Sequence, residues 1–257
     1  YKLHMQQVVF EKYAPVIVKY KFRCRTDENL AQYVDEIRKA LHDLDGLGFT
    51  EDELTYLSKI RFLKPAFIDF LRQYRFDPKR YLSIRVEQGK LVIECNGPWL
   101  YAILFEIPVL AIVSEVRNRR RYGNVDEGLF QDVLYEKVEQ LKLELDRRGI
   151  ESFKFADFGT RRRFSYTVHN RVVGYLTKAL PDNFIGTSNY HLAQKYNLTA
   201  IGTMAHEYLQ AHQALVNVAQ SQKEALEVWN QVYRGRLGVA LTDCITADAF
   251  LADFDYL

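Results

Sequence analysis

"NFIGTSNYHLAQKYNLTAIGTMAHE", residues 183–207, holds two short apolar runs with a helical stretch between them. "NFIGT" and "TAIGT" read as strands, and "NYHLAQKYN" as a short helix. Two strands joined through a helix predict a parallel pair, since the chain must travel back before the second strand begins. The same grammar extends outward from this stretch. Upstream, the strand "FKFADFG" (153–159) leads into the helical "RRRFSYTVHNRVVGYLTKAL" (161–180). Downstream, a helix begins near Met204, and "GVALTDC" (238–244) reads as a strand before the helical "ADAFLADF" (247–254). Repeated βα units predict a parallel sheet, either half of an α/β barrel or an open doubly wound sheet. In both, ligands lie at the C-terminal strand ends. Polar and small residues gather there: Asp157 to Arg162, Gly186 to Asn189, Gly202 to His206, and Thr242 to Cys244.

His206 sits at one of these junctions. His-Glu followed by His212 invites a zinc reading, but six residues at ~100° each leave the two rings roughly 120° apart around a helix. They do not share a metal in that geometry, and no metal ligand set is assigned. At a helix start, unpaired N–H groups and the helix dipole favour an anion, phosphate above all. The same groups would stabilise a phosphorylated imidazole. Glu207 is the adjacent candidate to orient the His206 ring. Arg161 to Arg163 follow the first strand on the same face, where forked guanidinium donors suit carboxylate and phosphate. Cations are unfavourable at a helix N-terminus, so an anion is expected to compensate them. A second basic run, Arg117 and Arg119 to Arg121, ends a helix and reads as structural.

Residues 1–150 have a different grammar, helical with an inserted hairpin. Leu30, Tyr33, Val34, Ile37, Leu41 and Leu44 recur at helical spacing before Gly46 and Gly48. Thr50 and Glu53 form a capping box. Phe67, Ile68, Leu71 and Tyr74 make a further stripe, ended by Asp77-Pro78. Leu82, Ile84 and Val86 then alternate, Gln88-Gly89 turns, and Leu91, Ile93 and Cys95 alternate again, which predicts a β-hairpin. Two long helices are expected over 98–122 and 128–147. A boundary near 150 thus separates an α+β domain, 1–150, from a parallel α/β domain, 151–257.

The 257 residues are 48% hydrophobic and 26% charged, enough for a sizeable core in one or two domains. A net charge of +2 argues against a dedicated nucleic-acid binder. The longest apolar run, residues 98–113, is broken by Glu106 and Pro108 and is short for a membrane span, so it reads as a core helix. Three widely spaced cysteines, with no CxxC pair, suit a reducing cytoplasm. The chain starts at Tyr1, without a methionine.

Taken together, "YKLHMQQ" (1–7), "FRCR" (22–25), "DFGTRRRFS" (157–165), "GTSN" (186–189), "GTMAHE" (202–207) and "LTDCIT" (241–246) resemble nicotinate phosphoribosyltransferases of the bacterial type. The resemblance runs along essentially the whole chain. It implies an N-terminal α/β domain followed by an irregular, TIM-like α/β barrel, of which this chain would hold the first half. It implies ATP-coupled joining of nicotinate to 5-phosphoribosyl 1-pyrophosphate in NAD salvage, through a transient phosphohistidine at His206. Thr203 matches the nicotinate-contacting threonine. Tyr1 matches a tyrosine that packs near nicotinate, commonly across a homodimer interface. Arg161 and Arg162 match the arginine pair for the anionic groups, and Ser188, Asn189 and Asp243 fall loosely in the ribose-phosphate region. ATP and Mg2+ enter as co-substrate and counter-ion, with no tightly bound cofactor, no nucleic acid and no membrane.

The chain departs from the family pattern at both ends. It opens at the tyrosine of the D-x-Y motif and stops before the R-x-D-S-G-D segment and the glycine-rich phosphate loop, so a fragment lacking the C-terminal third is expected. Two other function classes stay open: a different sugar-phosphate enzyme on an α/β barrel, or a non-catalytic binding or structural module.

Overall fold

A computed structural model of the chain describes residues 2–123, 127–202 and 204–253. The first helix, α1 (Lys2–Lys12), is buried from Lys2 to Val9 on every side. Its apolar residues Leu3, Met5, Val8 and Val9 join the largest core. Its polar ones survive burial because they are bonded: Gln6 Nε2 donates to the Leu100 carbonyl (2.9 Å), and Gln7 bridges Phe62 and Lys64 backbone groups.

After β1 (Ile17–Lys21) come α2 (Val34–His42), α3 (Glu51–Ser58), α4 (Pro65–Gln73) and the short α5 (Pro78–Tyr81). The expected capping box opens α3, with Glu53 N–H donating to Thr50 Oγ1 (3.2 Å) and Thr50 N–H to Glu53 Oε2 (2.9 Å). β2 (Leu82–Glu87) and β3 (Lys90–Pro98) form the expected hairpin. Leu82 faces Cys95, Ile84 faces Ile93 and Val86 faces Leu91, so the six alternating residues pair with one another. Gln88 and Gly89 both have positive φ, 49° and 73°, which suits the twist of a tight hairpin. β1 adds to the other side of β3, giving an antiparallel sheet in the order β1-β3-β2. That strand was not expected.

The apolar run continues as α6 (Trp99–Ala102) and α7 (Glu106–Tyr122). By length and composition the stretch Trp99–Tyr122 is long and apolar enough to cross a membrane, yet half of it is buried inside the fold. Trp99 and Ile103 belong to the largest core, while Phe105, Val109, Val113 and Val116 pack with Ile37, Leu41 and the hairpin in a second one.

The long α8 (Glu127–Arg147) leads into a parallel sheet, β4 (Phe155–Asp157), β5 (Phe184–Thr187) and β6 (Thr199–Ala200), in that order. Between its strands run α9 (Tyr166–Ala179) and α10 (Tyr190–Tyr196). Glycine is required in β5: a Cβ on Gly186 would lie 2.2 Å from the Thr199 carbonyl oxygen of the paired strand. α11 (His206–Leu215), α12 (Ser221–Tyr233) and α13 (Ala247–Ala252) complete the described chain.

One expectation needs correction. "GVALTDC" forms no strand. Arg234, Gly235 and Leu237 all take positive φ and turn the chain just before it, and Val239 is left 70% exposed instead of pairing with β6. Three parallel strands, rather than four, are therefore present among the described residues. Core contacts also run between the two halves of the chain. Met204, Tyr208, Ala225 and Trp229 of the second half join Leu3 and Val8 in the largest core. Conversely Val138 of α8 packs with Val173, Phe184 and Leu192. α1 is buried all round, and α11 and α12 cover it together with α4 and α6.

Candidate functional site

The strand ends are tied together by one carboxylate. Asp157, last residue of β4, accepts from Gly159 N–H (2.8 Å), His169 Nε2 (2.9 Å) and Thr187 Oγ1 (2.6 Å). Burial opposes its charge, but the hydrogen bonds from His169 and Thr187 hold its carboxyl below the usual range. Ser188 N–H donates to the Asp157 carbonyl (2.8 Å). Asn189 caps α10 through Leu192 N–H (3.2 Å) and donates from Nδ2 to Thr160 Oγ1 (3.1 Å). Ser188 and Asn189 therefore sit at the rim but serve the β4–β5 junction.

Beside this rim lies a cavity of about 810 Å³, lined among others by Tyr20, Glu106, Phe158, Arg161, His206 and Glu207. Arg161 enters from a 3-10 turn after β4, and its Nη1 lies 3.4 Å from Glu106 Oε1. Glu106 Oε2 pairs with Lys2 Nζ, which also pairs with Glu207 Oε2. Glu207 Oε1 in turn accepts from the Tyr20 hydroxyl and from Trp99 Nε1 (3.1 Å). Charges thus alternate along one wall: Arg161, Glu106, Lys2, Glu207. Burial disfavours the Lys2 ammonium, yet Glu207 and Glu106 outweigh it and raise its pKa. Burial likewise opposes the Glu106 charge, and Lys2 then Arg161 hold its carboxyl below the usual range. Burial, reinforced by Glu207, pushes the Tyr20 phenol far up, so Tyr20 stays a donor. The anions expected to compensate the arginine run are protein carboxylates: Glu106 for Arg161 and Glu115 for Arg163 (2.5 Å).

His206 is the first residue of α11, and its N-cap, Ala205, supplies no side-chain cap. The start of a helix is a place where backbone N–H groups can meet an anion. The His206 side chain is half exposed, and its Nε2 lies 2.9 Å from Asp243 Oδ1. A carboxylate only accepts, so Nε2 carries a proton, and in the neutral ring the lone pair falls on Nδ1.

Glu207 does not take the orienting role expected of it. It lies one residue, about 100°, further round the helix, and its carboxylate is spent on Lys2, Tyr20 and Trp99. Asp243, placed by sequence in the ribose-phosphate region, is the residue that holds the His206 ring. Arg162 is exposed and does not line the cavity, so the arginine pair splits. His212 is buried and held by Tyr13 (2.9 Å) and the Tyr208 carbonyl (2.7 Å), apart from His206. The expected contacts of Tyr1 and Thr203 lie outside the described residues.

Several residues at or beneath the cavity escaped the sequence. Glu106 was visible as a lone carboxylate inside an apolar run, which is itself a signal. Phe158 lines the cavity and is 53% exposed. His4 is buried below the site: its Nδ1 donates to the Gly202 carbonyl (2.9 Å) and its Nε2 accepts from the Tyr190 hydroxyl (2.8 Å). A separate cavity of about 890 Å³, walled by Arg23, Arg25 and the hairpin turn, holds none of the sequence-predicted site residues.

Parallel strand ends, a helix N-terminus led by a histidine and an arginine over a concave pocket define an α/β protein of the kind whose ligand sites generally lie at the strand ends. Comparison with known proteins makes the class particular. Residues 1–114 match the nicotinate phosphoribosyltransferase (NAPRTase) N-terminal domain, and residues 153–257 match the nicotinate phosphoribosyltransferase (NAPRTase) family. The chain belongs to the nicotinate phosphoribosyltransferase family. It is 50% identical to a nicotinate phosphoribosyltransferase of Ectopseudomonas mendocina and to nicotinate phosphoribosyltransferase 1 of Pseudomonas aeruginosa, over 99% of this chain and 64% of each relative. A crystal structure of nicotinate phosphoribosyltransferase from Vibrio cholerae superposes with a TM-score of 0.95 at 41% identity, covering 99% of this chain and 60% of that one. One from Porphyromonas gingivalis gives 0.91 at 30% identity, covering 99% and 64%. The chain thus spans under two thirds of the length of these relatives and shares their mixed α/β fold.

Proposed function

We propose that this chain carries the nicotinate and phosphohistidine site of a nicotinate phosphoribosyltransferase, which makes nicotinate mononucleotide and pyrophosphate from nicotinate and 5-phosphoribosyl 1-pyrophosphate in cytoplasmic NAD salvage. The supporting observation is the placement of Arg161 and His206 on one cavity at the strand-end rim. Arg161 takes the nicotinate carboxylate through its forked donors. So held, the ring nitrogen attacks the anomeric carbon in line, and the bond to pyrophosphate breaks. No general base is needed, because the pyridine nitrogen already has its lone pair.

His206 couples ATP. Its Nδ1 lone pair takes the terminal phosphoryl group as ADP leaves, while Asp243 holds the Nε2 proton and balances the charge gained by the ring. The N–H groups at the start of α11 face the new phosphate. Phosphorylation changes the relative affinities for substrates and products, and water later removes the phosphate. Thr203 adds a nicotinate contact, Tyr1 reaches the site of a second copy in a homodimer, and Ser188 and Asn189 border the ribose phosphate with Arg162 outside them. Mg2+ enters with the phosphates of ATP and 5-phosphoribosyl 1-pyrophosphate.

The test is an assay of the natural gene product that carries this chain, with nicotinate, 5-phosphoribosyl 1-pyrophosphate and ATP. Nicotinate mononucleotide and pyrophosphate are expected in equal amounts; product absent under these conditions refutes the reading.

A further inference from the structure

We propose that Glu106 sets the affinity and selectivity of the cavity as an internal counter-ion, holding Arg161 until the carboxylate of an incoming acid replaces it. This rests on the cavity's being the nicotinate site. Both side chains line it, and Glu106 is the more sheltered, 24% exposed against 41% for Arg161. The two oxygens of Glu106 have different partners: Oε1 faces Arg161 at 3.4 Å, and Oε2 pairs with buried Lys2. A 3.4 Å contact is long for a charge-assisted hydrogen bond, so Arg161 is held loosely.

Lys2 makes the exchange feasible. When Arg161 swings to a ligand, Glu106 keeps its ion pair with Lys2 and no carboxylate is orphaned in a sheltered place. Lys2 in turn keeps Glu207, so the whole row stays paired. The row Arg161, Glu106, Lys2, Glu207 carries two positive and two negative charges and is neutral as it stands. An acid therefore binds by displacing a rival carboxylate, and its affinity is lower than a bare guanidinium would give. A neutral amide such as nicotinamide brings no charge to compete with, and gains nothing when the rival is removed. Glu106 is a positioning residue here: it acts through Arg161.

The experiment compares nicotinate and nicotinamide kinetics for the natural gene product and its Glu106→Gln variant. A partly exposed ion pair is worth up to about 1 kcal/mol, so the nicotinate KM should fall by about fivefold, with kcat and the nicotinamide KM little changed. A damaged fold would weaken both ligands, so the sign and the selectivity separate the proposal from a structural effect. An unchanged or raised nicotinate KM, or equal shifts for acid and amide, overturns it. Should the variant fail to fold, a structure of the unsubstituted protein with nicotinate decides. The Arg161 guanidinium should lie on the nicotinate carboxylate and away from Glu106; Arg161 still on Glu106 beside a bound acid overturns the proposal. A parent protein that makes no product from nicotinate refutes the functional reading itself, and this proposal falls with it.

Discussion

Acid should destabilise this fold through His4, and the size of the effect follows from its surroundings. The ring is 2% exposed, donates from Nδ1 to the Gly202 carbonyl and accepts at Nε2 from Tyr190. Burial disfavours the charged ring and lowers its pKa from 6.5 to about 3. The unfolded chain therefore binds a proton that the folded chain refuses between those two values. Stability from this group is fully present above pH 6.5 and is lost as pH falls toward 3. At pH 5 the loss covers about 1.5 units, roughly 2 kcal/mol at about 1.4 kcal/mol per unit. His212, whose pKa burial also lowers, and the carboxylates add their own slopes. The measurement is therefore a difference: urea unfolding of the parent and of His4→Asn at pH 7 and pH 5. The asparagine amide keeps a donor near the Gly202 carbonyl but does not titrate. The parent should lose roughly 2 kcal/mol more than the variant over that range, since the other groups cancel. Equal losses in the two proteins would refute the reasoning.

Three further outcomes are expected. Replacing His206 with alanine in the natural gene product should leave slow phosphoribosyl transfer but abolish its stimulation by ATP, read as product formed with and without the nucleotide. Arg161→Ala should raise the nicotinate KM by about tenfold or more, as the loss of a charge-assisted pair implies, with a smaller effect on nicotinamide. Gly186→Ala would place its Cβ 2.2 Å from the Thr199 carbonyl oxygen, forcing β5 and β6 apart. Overpacking of this kind costs about 1–3 kcal/mol, and a clear drop in Tm is expected.

What the sequence disclosed follows the periods that local physics imposes. The hairpin is legible because Leu82, Ile84 and Val86 and their partners alternate in step, and a turn with two positive φ values closes it. The α3 capping box is legible because its two bonds are made within four residues. β1 was missed because its exposure alternates only between partly and fully exposed, and its pairing with β3 comes from far along the chain. "GVALTDC" misled because an apolar run specifies a strand only when a neighbour offers its backbone, and the left-handed turn before it points the chain elsewhere. At the site, Arg161 and His206 could be found from their strand-end positions. The carboxylate that faces each could not. Spacing makes Glu207 the neighbour of His206, but one step round a helix turns it toward Lys2, and Asp243 arrives from 37 residues away.

The enclosure of α1 also has a bearing on synthesis at the ribosome. Its far wall is α12: Tyr233 donates to the His4 carbonyl at 2.7 Å, and Lys12 reaches Gln231 at 2.9 Å. At about 5–20 residues per second, the ribosome needs roughly 10–40 s to travel from the end of α1 to the start of α12. Until α12 is made, the side of the nascent helix that it covers stays open to water, while α4 and α6 close other sides as they emerge. Trigger-factor-like holdases would find their earliest purchase there, and translation pauses before residue 221 would lengthen the hazard.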